Sequence, residues 1–501
     1  MMDIKTAVAK LDELQKIQYA YSHAMGMVFY DAVTTAPKDT AEGRGVALGI
    51  LSGEMYRKFI NPEVDELLTF LSENMSELDD HRKREVELLK KDFDRTKKIP
   101  ENEYVEYQML LNEADSVWHK AKEENDFESF RPCLEKIVAF NRKMAAYYDP
   151  EKDAYDVLLD LYEEGLTQET ADAFFLKLRE RIVPLLEEIM KKDQIDDSFL
   201  YGHFDINAQR QFSDYLMEKM CIDRSHCGIG ETEHPFTTNF NKKDVRITTN
   251  YHEDNAVNSM FSVVHEGGHA LYELGSGDEH EYTVVAGGVS MGIHESQSRF
   301  FENIIGRSRP FVKNVLPKLK ELFPEQFRTV TAEQLYRAVN KVEPGLIRID
   351  ADELTYSLHI MVRYELEKQL IKGTLEVKDL PDAWAAKMKE YLGVDVPDDK
   401  RGCLQDSHWS SGSFGYFPSY ALGSAYGAQI LKKMEEDFDV YKAVEDDDLS
   451  PIVAWLTEHI WQYGKMYAPG ALLEKCVGAP FDPQYYVDYL ETKFKDLYSI
   501  D

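Results

Sequence analysis

The sequence predicts a mainly α-helical fold with one small β-sheet, and three observations predict it. Residues 62–75, 78–97, 101–123, 126–149 and 167–192 carry apolar positions at three- and four-residue spacing, which lines one face of a helix. Between about 228 and 252 that spacing stops. The stretch GIGETEHPFTTNFNKKDVRITTNY is rich in Gly, Thr, Asn and β-branched residues, the composition of loops and short strands. After 351 the helical spacing returns.

Each element has a local reason. The opening stretch MMDIKTAVAKLDELQ is charged and helix-like, without the apolar core of a signal peptide. Pro100 followed by Glu101 and Glu103 suits a helix start, where proline's missing N–H is harmless and acids are favoured. The charge run HRKREVELLKKDFDRTKK (81–98) reads as a solvated helix face. A short strand is expected near Val245–Thr249, a second near His280–Val285 and a third over Leu346–Ile349. NAVNSMFSVVHEGGHALYELG (255–275) reads as one amphipathic helix with the small sheet beside it. SSGSFGYFPSYALG (410–423) reads as a Gly/Ser-rich loop that breaks the C-terminal helices.

Among 501 residues no Pro/Gly/Ser tract, repeat or low-complexity segment marks a linker. Residues 1–501 are therefore expected to form a single domain, with a helical part over about 1–200 and the motif-bearing part over about 230–425. No apolar run approaches the ~18 residues of a membrane span, so a soluble, cytoplasmic protein is expected. The five cysteines, Cys133, Cys221, Cys227, Cys403 and Cys476, form no CxxC and no paired framework, which fits a reducing compartment. Cys221, His226 and Cys227 cluster, but their spacing matches no zinc module. Net charge is −33, from 58 Lys and Arg against 91 Asp and Glu, and this argues against nucleic acid and anionic membrane as partners.

Residues 265–269 read His-Glu-Gly-Gly-His inside the 255–275 helix. His265 and His269 are four apart, so they share one face, one turn above the other, and two imidazoles so placed can hold one tetrahedral metal ion. Glu266 sits beside the first ligand, where a general base would stand. Chance alone yields HExxH in some chains, but most chance matches do not fall on a long helical pattern. Gly267 and Gly268 each cost the helix about 1 kcal/mol relative to alanine, a cost accepted where something must approach the backbone closely. A catalytic site needs a third protein ligand and an open position. His-Glu-Ser-Gln-Ser-Arg (294–299) opens a helical stretch running to about 308, and Glu295 is the expected third ligand. His294 is its rival, although as a neighbour on a helix it points elsewhere.

Six motifs in order then carry a resemblance. They are HPF (His234, Pro235, Phe236), DxRxT (Asp244, Arg246, Thr248), HExxH (His265, Glu266, His269), HESQ (His294–Gln297), IRxxAD (Ile347, Arg348, Ala351, Asp352) and GxxQDxHW (Gly402, Gln405, Asp406, His408, Trp409). The chain resembles the carboxypeptidase Taq family of HExxH metallocarboxypeptidases. The resemblance implies a large helical zincin-type fold with a deep cleft. It implies removal of single residues from peptide C-termini with broad specificity, and a homodimer. It also implies one divalent metal ion per chain, zinc or cobalt. Two departures stand out. Around 30–44 relatives tend to carry Trp-Asp and Met-Pro where this chain has Tyr30 and Ala36. Many zincins also carry an acid four positions after the glutamate ligand, where this chain has Arg299, so support for the ligand histidines must come from elsewhere.

An exopeptidase must recognise a free carboxylate, and arginine does this with two parallel hydrogen bonds. Arg246 and Arg348 are the candidates. Each could instead be a buried ion pair holding the fold, and the resemblance favours Arg348. Donors for an oxyanion are expected from His408 and Tyr420, since similar helical HExxH peptidases use a His and a Tyr. Tyr416 is a weaker candidate among 29 tyrosines, and His234 is assigned to substrate contact or loop packing. Two rivals remain open. One is a peptidyl-dipeptidase or oligoendopeptidase on a similar fold, differing in how far the clamp lies from the metal. The other is a non-catalytic helical scaffold with a structural metal, which the presence of Glu266 opposes.

Overall fold

The chain opens on a long helix, Ile4–Thr34, started by Asp3, whose carboxylate accepts from the Thr6 N–H at 2.8 Å. In the computed structural model, which describes residues 2–500, helices Pro62–Glu73, Asp80–Lys98, Glu101–Glu124, Phe127–Tyr148 and Gln168–Ile189 follow where the spacing places them. Two apolar cores hold these elements. The smaller joins Leu11, Leu14, Leu68, Leu71, Val86 and Phe93 from three of the first helices. The larger runs from Ala114 to Tyr498 and surrounds the 255–275 region.

The sheet has three strands in the order β1 (Cys227–Glu231), β3 (Asp244–Thr249), β2 (Thr237–Asn241). β1 runs parallel to β3, with Cys227 opposite Val245, and β2 antiparallel, with Thr237 opposite Ile247. Side chains alternate across a strand. Val245, Ile247, Thr237 and Asn239 therefore share the face toward the helix Ala256–Leu274, which we call the metal helix, and Thr237 and Asn239 touch it. Arg246 and Phe240 share the opposite face, against Tyr30 and His23 of the first helix.

Four local expectations are corrected. Only Val245–Thr249, the central and most β-branched segment, was expected within this sheet. The glycines of β1 and the asparagines of β2 carry little β-propensity, and tertiary pairing overrides it. His280–Val285 is not a strand. Asp278–His280 forms a 3₁₀ turn, Tyr282 adopts φ +64°, and Thr283 N–H returns to His280 O at 3.0 Å. Leu346–Ile349 is likewise no strand, because Arg348–Asp350 is a 3₁₀ turn and the Arg348 N–H goes to the Gln405 side chain at 2.9 Å. The loop at 410–423 ends early, since a helix starts at Pro418 and runs to Asp437.

Candidate metal centre and active site

The metal helix starts at Asn255, whose side chain accepts from the N–H groups of Val257 and Asn258. Its two internal glycines have a visible cause. A Cβ on Gly268 would lie 2.6 Å from Gln297 O and 2.7 Å from Ser298 Cα, backbone of the helix Met291–Arg299. That helix carries the HESQ motif. A Cβ on Gly267 would meet the tip of Met220 at 2.7 Å. On the other side of the HESQ helix, Gly423 lies so close that a Cβ there would be 2.6 Å from Glu295 Cβ. Glu295 is thus held between two helices that approach to backbone contact.

The structure brings His265, His269 and Glu295 together, with one ligand atom from each within 4.8 Å of the others. Glu295 Oε2 lies 3.7 Å from His265 Nε2 and 3.4 Å from His269 Nε2. The remaining ring nitrogens are tied. His265 Nδ1 reaches Glu302 Oε2 at 2.9 Å. His269 Nδ1 reaches His294 Nδ1 at 2.7 Å, and His294 Nε2 reaches Glu273 Oε1 at 2.7 Å. One proton assignment satisfies the second chain: His269 Nδ1–H donates to His294, and His294 Nε2–H donates to Glu273. Glu273 also accepts from the Gly288 N–H at 3.1 Å and from Asn239. Both ligand histidines are therefore left with Nε2 lone pairs turned toward Glu295. His294 lies outside the candidate trio, hydrogen-bonded to His269 on one side and Glu273 on the other.

The two carboxylates Glu295 and Glu302 are offset by Arg307, whose Nη2 donates to Glu302 Oε1 at 3.1 Å, and by Arg299. Its Nε donates to Glu295 Oε1 at 2.7 Å and its Nη1 to Glu302 Oε2 at 3.1 Å. Burial opposes ionisation of Glu295 and Glu302, yet Arg299 and the histidines hold both far below the usual carboxylate range. Burial pushes His269 down to about 4 despite Glu295, so its imidazole is neutral, as a metal ligand requires. Burial lowers His265, but Glu295 and Glu302 outweigh it and raise its pKa, so a cation held here would displace its proton; two imidazoles and one carboxylate, with a tied outer shell, fit a divalent cation that prefers nitrogen and oxygen ligands. Glu266, 6 % exposed, accepts from the Thr237 hydroxyl at 2.6 Å, and burial raises its pKa.

The two candidate arginines sit differently. Arg348 is buried and directs Nε and Nη2 to Asp406 Oδ1 at 2.9 and 2.8 Å, and Nη1 to the Tyr356 hydroxyl at 3.3 Å. Three of its five N–H groups are used, and the other two have no partner among the described residues. Arg363, fully buried, holds the other oxygen of Asp406 at 2.7 Å and Gln405 Oε1 at 2.7 Å. Two guanidiniums thus share one carboxylate. Arg246 instead sets one edge, Nε and Nη2, against the two oxygens of Asp244 at 2.8 and 2.9 Å, with the rings of Tyr30 and Phe240 over its guanidinium. Asp352 of IRxxAD is a helix cap, accepting from the N–H groups of Leu354 and Thr355 at 3.0 Å. His408 Nε2 lies 3.1 Å from the Tyr420 hydroxyl, and burial lowers His408 to about 4. The Tyr416 ring packs on both, at 5.4 and 5.0 Å. His234 is 79 % exposed, on the turn between β1 and β2, and the structure does not bring it to this cluster.

The model of the carboxypeptidase Taq (M32) metallopeptidase family matches residues 10–494. The chain belongs to that family. It is 39% identical over 499 residues to carboxypeptidase 1 of Bacillus subtilis, covering 99% of this chain and 100% of the relative. Among solved structures, the M32 carboxypeptidase from Deinococcus radiodurans R1 aligns with a TM-score of 0.96 at 34% identity, covering 99% of this chain and 100% of that one. Trypanosoma cruzi metallocarboxypeptidase 1 aligns at 0.94 and 33%, covering 98% and 99%. The chain is a metal-dependent carboxypeptidase. Among the described residues no helix is long and apolar enough to cross a membrane.

For an M32 member, several functional contacts escape a motif reading. Glu302 replaces the acid missing at 299. It is seven residues after Glu295, and the π-helical turn Phe300–Gly306 alters the helical phase there, so a simple four-residue rule misses it. Glu273 was legible as the third member of the stripe His265, His269, Glu273, each four apart. Arg363, Tyr356 and Thr237 lie outside the six motifs, and only the fold brings them in.

Proposed function

We propose that the chain removes single residues of broad type from peptide C-termini, using one zinc ion, or cobalt, held by His265, His269 and Glu295. The metal supplies Lewis acidity to the scissile carbonyl and to the attacking water. Glu266 takes the water's proton and passes it to the leaving amine, with Thr237 fixing its carboxylate. His408 and Tyr420 supply donors to the oxyanion, and Tyr416 lines the same place. Arg348 clamps the terminal carboxylate with its two remaining N–H groups. Arg246 is a second, weaker candidate because Asp244 alone balances its charge, and His234 contacts only the outer part of a substrate. A single catalytic domain, a homodimer and a cytoplasmic location belong to the same reading.

The observation that carries it is the pair Arg348 and Arg363 on one Asp406, a local surplus of positive charge in a chain of net −33. A terminal carboxylate is the partner such a surplus fits. Mass spectrometry of a mixed-peptide digest tests the reading. Successive loss of one residue is expected. Loss of two at a time would establish the peptidyl-dipeptidase reading, and internal cuts the oligoendopeptidase one.

A further inference from the structure

We propose that Tyr356 is a positioning residue that sets the distance from the metal centre to the carboxylate clamp, and so the length of the piece released. This rests on the reading of Arg348 as the clamp.

Tyr356 is 4 % exposed and lies in the second turn of the helix Glu353–Lys372. The Asp352 cap anchors that helix start, accepting also from Thr355 Oγ1 at 2.8 Å and from the Glu343 N–H at 3.0 Å. Two arginines meet the tyrosine on different parts. The Arg299 guanidinium lies over the ring face, 3.9 Å from its centroid. The Arg348 Nη1 donates to the phenolic oxygen at 3.3 Å. A ring face and a lone pair each attract a cation, so one rigid side chain holds two like charges apart and satisfies both. Arg299 in turn grips Glu295 Oε1 at 2.7 Å. The result is an unbroken run of contacts, Glu295 to Arg299 to Tyr356 to Arg348. The same ring meets that of Tyr420 edge to face, with centroids 6.4 Å apart at 89°, so the side proposed for the oxyanion is tied to it as well.

A peptide whose scissile carbonyl is at the metal ligands and whose carboxylate is at Arg348 must span what this run spans. A rigid aromatic spacer makes that span one value. A flexible or shorter side chain lets Arg348 settle elsewhere. Packing alone would make the hydroxyl dispensable, whereas a spacer needs both hydroxyl and ring.

Two variants separate these roles. Tyr356→Phe keeps the ring over Arg299 and loses the bond to Arg348. It should leave metal affinity, measured by chelator competition, within twofold of wild type. KM for free-acid peptides should rise about tenfold with kcat little changed, because a hydrogen bond to a charged group is lost. The rate ratio between free-acid and amidated peptides should fall in step. Tyr356→Leu removes the ring, and mass spectrometry of its products should show dipeptides beside single residues. Unchanged KM and ratio in Tyr356→Phe would overturn the spacer role, and this variant decides alone if Tyr356→Leu does not fold. A folded Tyr356→Leu that releases only single residues would overturn the assignment of product length. The clamp itself fails on a different result, equal wild-type rates on free-acid and amidated peptides.

Discussion

Replacing Gly268 by alanine should damage the metal site more than the same change one residue earlier. Ordinary contact begins at 3.4 Å, and the new Cβ would sit 2.6 Å from Gln297 O and 2.7 Å from Ser298 Cα. The metal helix and the HESQ helix must then part by roughly 0.8 Å, because backbone on both sides cannot rotate away. Those two helices carry His269 and Glu295, whose ligand atoms are 3.4 Å apart. Overpacking of this kind costs about 1–3 kcal/mol, against a gain of about 1 kcal/mol in helix propensity. Metal affinity should fall at least about tenfold, as when outer contacts of a ligand are disturbed. Gly267→Ala meets Met220 Cε at 2.7 Å and Ile222 Cδ1 at 3.1 Å, flexible side-chain ends that can give way. It should stay within about 1 kcal/mol of wild type. Zinc competition against a chromophoric chelator, and calorimetry of the apo proteins in EDTA, measure the two effects. Equal zinc affinity and Tm in the two variants would refute the idea that backbone contact at Gly268 sets ligand spacing.

Four further outcomes are expected. Glu266→Gln should bind metal as wild type does but lose about 10²–10⁴ in kcat, and near-normal hydrolysis would remove it as the base. Peptides amidated at the C-terminus should be very poor substrates, and Arg348→Ala should shrink the gap to free-acid peptides; wild-type indifference to amidation would favour an endopeptidase. Glu163, 2 % exposed, is pushed up to about 7 by burial from an ordinary 4.5, so the folded state binds its proton more tightly than the unfolded one. Stability should therefore fall as pH rises from about 4.5 to 7, by about 3 kcal/mol, and Glu163→Gln should gain more Tm over wild type at pH 8 than at pH 5; parallel Tm curves would contradict this. Peptides ending in Asp or Glu should show lower kcat/KM than those ending in Ala, Leu or Phe, with a gap that narrows as the Debye length falls from about 30 Å at 0.01 M salt to about 10 Å at 0.1 M; preference for the acidic terminus at low salt would show that the local pocket outweighs net charge.

The long amphipathic helices were legible because each shows its period within one window. HEGGH was legible as chemistry because its spacing and its helix agree. The short elements were not, and the reason is physical. β2 is held by β3 and by the metal helix, and nothing in Thr237–Asn241 alone demands a strand. His280–Val285 has β-branched residues but no neighbouring strand to receive them, and it turns instead. The outer shell of the metal was half legible. Glu273 lies on the visible four-residue stripe, whereas Glu302 depends on a π-turn that no spacing rule foresees. Tyr30, a departure from the family pattern, packs against Arg246, its ring centroid 5.0 Å from the guanidinium.

The charge around Arg348, the proposed clamp, bears on a conflict that composition raises. A chain of net −33 should repel a terminal carboxylate, and a buried surplus cation should cost the fold. Both difficulties have one answer in Asp406. Burial opposes its charge, but Arg348, Arg363 and His408 hold it far below the usual carboxylate range, so it stays ionised and pairs with both guanidiniums. Glu367, pushed up to about 7 by burial, directs its oxygens to Tyr155, Trp409 and the Gly415 N–H, not to Arg363. Counted over Arg348, Arg363 and Asp406 alone, one positive charge is left over, and Arg348 has two N–H groups without a partner among the described residues through which it can be met. Adding a second acid would stabilise the empty fold and remove the reason for a carboxylate to enter. Removing Asp406 would leave two buried cations facing each other. A single acid between two arginines leaves this trio one anion short, and it is this shortfall that the proposed reading assigns to the terminal carboxylate of a peptide.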